Sequence, residues 1–144
     1  MDWNNFSEST KESPDVTIKN FISGFPKATN ELLTLKVKEV AEVQQQLTYL
    51  GTSFQYELYL YSPYVDGYSF RIMFFGFNVE LLEIRVVLDG TIHEEIFNTR
   101  QPFGKPVSMK NDTKFPEFLE KVFSSNRFKE VVSGLLTIAK KNKR

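Results

Sequence analysis

Hydrophobic positions change their rhythm twice along the chain, from helical to alternating and back to helical. After a polar stretch over residues 1–12, Val16, Ile18, Phe21, Ile22 and Phe25 recur at helical spacing. Ser13, Pro14 and Asp15 supply a cap, a first-turn proline and a charge that complements the helix dipole, while Gly24 and Pro26 mark the stop. This predicts a short helix over 14–23. A longer stripe of Leu33, Val37, Val40, Val43, Leu47 and Leu50 predicts a second helix ending near Gly51. A strand through Leu33, Leu35 and Val37 is the alternative, but alternation fails after Lys38.

Four strand signals follow. "SFQYELYLY" alternates, with Phe54, Tyr56, Leu58 and Leu60 on one side. A loop holding Pro63 and Asp66-Gly67 leads to "YSFRIMFFGF", where Tyr68, Phe70, Ile72 and Phe74 oppose Ser69, Arg71, Met73, Phe75 and Phe77. "VELLEIRVVL" places Leu82, Ile84, Val86 and Leu88 toward the core, and Asp89-Gly90 then turns into "TIHEEIF". A two-residue Asp-Gly loop would put His93 and Glu95 beside Val86 and Ile84. A three-residue loop with Gly90 left-handed pairs Val87 with Thr91 and keeps Ile92 and Ile96 beside Val86 and Leu82, so that register is preferred. "NTRQPFGKPVSMKND" lacks periodicity and reads as a loop or irregular edge. Helical spacing resumes with Phe118, Leu119, Val122 and Phe123, breaks at "SSN" (124–126), and continues through Phe128, Val131, Val132, Leu135 and Ile138 or Ala139.

The expected fold is α+β: two N-terminal helices, a four-stranded antiparallel meander and two C-terminal helices, with helices on one sheet face. Residues 1–12 read as a flexible N-terminal arm and 13–144 as one domain, a size that supports a single core.

The strand pattern poses a problem, because both faces carry large apolar side chains. The second face would hold Tyr59, Tyr61, Met73, Phe75, Phe77, Leu81 and Phe97, interleaved with Glu57, Arg71, Glu83 and Arg85. Large exposed apolar patches are unusual on monomers. Either helices or a curled sheet cover this face, or it is a protein interface, or it lines an apolar cavity. Tyr, Phe, Met and Arg suit an interface, and the mixed charges suit its rim.

Composition narrows the chemistry. Lys plus Arg and Asp plus Glu balance at 18 each, so no global field favours nucleic acid or an anionic membrane. The balance is uneven along the chain, with five basic and ten acidic residues over 31–100 against ten basic and four acidic over 101–144. With no cysteine there is no disulfide framework and no thiolate metal site, in keeping with a cytoplasmic setting. The first residues lack a signal-peptide pattern, and no apolar run reaches the roughly 18–20 residues of a membrane span.

His93 is the single histidine, which excludes a His-rich metal site. It reads as an exposed strand residue. The carboxylate pairs Glu80/Glu83, Glu94/Glu95 and Asp112/Glu117 read as charge pairs, with Arg71 and Arg85 as counter-ions near Glu83. No glycine-rich phosphate loop is present, and "KKNKR" at 140–144 reads as a solvated tail that complements a helix dipole.

By elimination the sequence points to a non-catalytic protein-binding module with no cofactor. An inhibitor, such as a bacterial immunity protein that neutralises a toxin, is one concrete form. The expected partner surface comprises Tyr59, Tyr61, Tyr64, Arg71, Phe75 and Phe77 with Glu57, Glu83, Glu94 and Glu95. An acidic rim of Glu57, Asp66, Glu80, Glu83, Glu94 and Glu95 would face a basic toxin domain. The alternatives are a secretion-chaperone-like homodimer and an apolar small-ligand-binding domain. A membrane partner is excluded, and nucleic acid is disfavoured.

Overall fold

A computed structural model describes residues 1–143. Pro14 and Asp15 open α1 (Pro14–Phe21), and Pro26 lies in the first turn of α2 (Phe25–Ala28). The chain then enters β1 (Thr34–Glu39), a 3-10 helix (Glu42–Thr48), β2 (Phe54–Tyr61), β3 (Ser69–Phe77) and β4 (Glu83–Leu88). Helix α3 (Gly90–Phe97), β5 (Val107–Lys110), α4 (Lys114–Phe123) and α5 (Asn126–Asn142) complete it. The class is α+β, and the sheet is fully antiparallel with the order β1-β2-β3-β4-β5.

Two expectations are corrected. Residues 34–39 form a strand rather than a helix, because β2 offers a matching partner: Leu35 faces Leu60 and Val37 faces Leu58. The helical stripe drawn through this segment is not a buried face, since Val43 is 88% and Leu47 71% exposed. Residues 90–97 form a helix rather than a fourth meander strand. The Asp89 side chain accepts from the Ile92 N–H at 3.2 Å, so Asp-Gly is here an N-cap and a first helical residue, not a hairpin turn. The segment read as a loop or irregular edge supplies β5 at the edge of the sheet, with Val107 and Met109 opposite Val86 and Ile84.

The doubled aromatic pattern has a local cause. Leu58 lies opposite Met73, but the next residue, Tyr59, lies opposite Arg71, so Ile72 is an extra residue in β3. A β-bulge of this kind reverses the inside–outside phase of its strand. Before it Phe70 points inward; after it Met73, Phe75 and Phe77 do. Ile72 itself is fully buried, and its carbonyl accepts from the Asp89 N–H at 2.8 Å.

The inner face is therefore a continuous apolar ladder. Leu35, Leu60 and Phe70 form one row, Leu58, Met73 and Leu88 the next, followed by Tyr56, Phe75 and Val86, then Phe77 and Ile84. Tyr56 stacks on Phe75 and Phe77, with ring centroids 5.3 and 5.7 Å away. Burial raises its phenol pKa, with smaller contributions from Asp15 and Glu39. Ile18, Ile92, Phe115, Leu119, Val122, Phe128 and Leu135 bring the helices onto this face. No helix among the described residues is long and apolar enough to cross a membrane.

Candidate binding face and cleft

The outer face divides into a covered end and an open end. At the covered end the chain from the 3-10 helix to β2 folds over the strands. The Thr48 hydroxyl and the Gln55 carboxamide oxygen lie 2.6 Å apart, and Gln55 donates to the Thr52 carbonyl at 3.2 Å. Arg85 donates to the Leu50 carbonyl at 3.0 Å. Leu50 is fully buried, and so are the side chains of Thr48, Thr52 and Gln55 to within a few percent. Gly76 makes this closure possible. A Cβ there would collide with the Thr52 side chain and lie 2.8 Å from the Phe54 carbonyl oxygen.

At the open end, pairing sets Lys36 beside Tyr59, Tyr59 beside Arg71, and Lys38 beside Glu57. Tyr59 and Tyr61 are half-buried and in ring contact, 5.8 Å between centroids. Lys38 joins them, 3.6 Å from the Glu57 carboxylate and 5.3 Å above the Tyr59 ring. Of the side chains expected on this face, Glu57, Tyr59, Tyr61 and Arg71 come together here. Phe75 and Phe77 do not: the bulge turns them into the core, and Phe75 is fully buried. Met73 leaves the face for the same reason, and Phe74 takes its place.

The remaining expected residues are dispersed. Glu83 pairs with Arg85 at 3.2 Å at the covered end. Glu94 and Glu95 sit on α3, not on a strand. Glu95 accepts from the Asn126 and Arg127 N–H groups at 2.7 and 2.9 Å, capping α5, while Glu94 lies 3.9 Å from Arg100. Tyr64 is held at the far end of α5, where its carbonyl accepts from Asn142 at 2.8 Å and Lys143 lies over its ring. Of the carboxylates expected as one acidic rim, Glu57, Glu83, Glu94 and Glu95 thus serve separate elements.

Between the two ends lies a cleft of about 390 Å³. Its floor is Phe74 and Val87 of the outer face. One wall is Leu47, Thr48 and Tyr49, the other is the loop Gln101–Lys105, and Asp89 and Gly90 close one end. Tyr49, in a left-handed conformation (φ 59°), and Phe103 meet across it at 5.1 Å. Arg71 sits over Phe74, its guanidinium carbon 4.2 Å from the ring centroid. The ion pairs among the described residues are Lys38–Glu57, Arg85–Glu83, Arg100–Glu94 and Arg127–Asp89; Arg71 belongs to none of them. Strand phase and loop closure build this cleft, and neither is visible in local sequence periodicity.

His93 is also placed differently from expectation. It is buried, 2% exposed, with its ring 4.7 Å from that of Phe97. Neither ring nitrogen has a well-formed hydrogen bond, and the Gln101 carboxamide oxygen nearby is also unpartnered. Burial lowers the imidazole pKa; Gln101 and then Glu94 oppose this without overcoming it. Among the described residues no three His, Asp or Glu side chains converge to hold a metal ion.

Comparison with known proteins finds no match: no protein family fits the chain, and no curated protein or solved structure is significantly similar to it.

Proposed function

We propose that this chain is a non-catalytic protein-binding module that docks its partner on the open end of the outer sheet face. The observation that supports this is the contrast within that face. One end is roofed by its own chain, whereas Tyr59 and Tyr61, among Lys36, Lys38, Glu57 and Arg71, have no roof. Tyrosine and arginine give large contact area with few rotors, which is why they dominate energetically important interface positions. Charge at this end favours a partner bearing carboxylates, because Lys36 and Arg71 stand without an ion-pair partner among the described residues while Glu57 is matched by Lys38. An inhibitor of the immunity-protein kind remains one form of the module, with the acidic groups on the partner's side of the contact.

The test is capture from native lysate with wild type and a Tyr59→Ser/Tyr61→Ser variant of unchanged circular dichroism. A partner retained by wild type and lost by the variant supports the reading. A partner held equally by both removes this face as the docking surface.

A further inference from the structure

We infer that the cleft between the 3-10 helix and the Gln101–Lys105 loop is a binding site for a monoanionic carboxylate with an apolar or aromatic body. Three features carry this. First, the cleft is concave and walled by Leu47, Tyr49, Phe74, Val87 and Phe103, the kind of lining that takes an apolar group out of water. Second, Arg71 enters it already oriented by the Phe74 ring and without an ion pair among the described residues. A guanidinium held over an aromatic ring presents its N–H fork to a carboxylate with less rotamer entropy left to lose. Third, Lys105 adds a second cation at the rim.

Asp89 also lines the cleft and would repel an anion. Its carboxylate is, however, committed to the α3 N-terminus at 3.2 Å and to Arg127 at 4.0 Å. That residual negative charge disfavours dianions such as phosphate esters and leaves a single carboxylate as the matching group.

The cleft adjoins the proposed docking face and shares Arg71 with it, but this inference goes beyond that reading and needs no protein partner. The carboxylate can belong to a free small acid or to the C-terminus of a chain ending in an apolar residue.

The experiment is a titration of the ¹⁵N-labelled protein with 3-phenylpropanoate, its neutral amide, and an acetylated Ala-Ala-Ala-Phe peptide with free or amidated C-terminus. The expected result is that a free carboxylate shifts the amides of residues 47–49, 87–90 and 101–105, and binds about tenfold more tightly than its amide. The preference vanishes in Arg71→Gln, and binding is lost in Val87→Phe, which fills the floor while keeping the cation. Binding of the free-acid peptide assigns the site to a chain terminus; binding of phenylpropanoate alone assigns it to small acids. Equal binding of acid and amide, shifts centred elsewhere, or no binding at millimolar concentration overturns the inference. The wild-type acid-versus-amide comparison and shift map decide the matter even if a variant fails to fold.

Discussion

The two faces of this sheet are built from similar residue types and do opposite things. On the inner face, Phe75 has Tyr56 and Val86 as cross-strand neighbours, and the helices close over the layer. On the outer face, Phe74 has Glu57 and Val87 as neighbours and carries Arg71 on its ring. Adjacent phenylalanines thus have different fates because one bulged residue, Ile72, sets the phase. A side chain's role here follows from its register and not from its type.

The largest expected effect comes from breaking the inner face. Phe75→Ala should lower unfolding stability by about 3–5 kcal/mol, read from urea denaturation, because it empties a filled site flanked by Tyr56 and Phe77. A loss below about 1 kcal/mol would mean that Phe75 is not core. Next is the covered end of the outer face. Gly76→Ala should cost about 1–3 kcal/mol, since the new methyl group meets the Thr52 side chain and the Phe54 carbonyl oxygen. The double variant Gly76→Ala/Thr52→Gly should recover part of that loss.

Acid sharpens the contrast further. Burial holds the folded pKa of His93 below the ordinary 6.5 of the unfolded chain. Above pH 6.5 the ring is largely neutral in both states and its titration has little effect. Below it the unfolded chain binds the proton first, so stability falls as pH drops from 6.5 toward the depressed folded value. The urea midpoint of wild type should decline across that window, and that of His93→Leu should stay flatter. The smallest effect belongs to the open end: Tyr59→Ser/Tyr61→Ser should change stability by less than about 1 kcal/mol per site, in keeping with half-exposed positions outside the core.

The legible parts of the fold were those where local signals and tertiary demand agree. Pro14 and Asp15 opened the first helix as expected, and Phe118, Leu119 and Val122 marked the buried stripe of α4. Misreadings arose where a local signal has two meanings. Asp89-Gly90 is a hairpin turn in one context and an N-cap in another, and only the burial of Ile92 and His93 on the inner side of α3 decides between them. Leu33 and Val37 fit both the helical stripe and the alternating strand, and pairing of β1 with β2 decides that case. Of the expected partner surface, Glu57, Tyr59, Tyr61 and Arg71 were readable from alternation in β2 and at the start of β3. Phe75 and Phe77 were misplaced because a one-residue bulge leaves no local mark in a run that is apolar on both phases. The cleft was unreadable, as its walls come from segments about fifty residues apart, brought together by the sheet.

The phase reversal in β3 underlies both the core and the proposed binding surfaces, and the absence of cysteine makes it directly measurable. Single substitutions Arg71→Cys, Met73→Cys and Phe74→Cys, labelled with a thiol reagent under native conditions, report which way each side chain points. With Ile72 as the extra residue, positions 71 and 74 label quickly and position 73 is protected. Rapid labelling at 71 and 73 with protection at 74 would mean unbroken alternation, and would contradict the account.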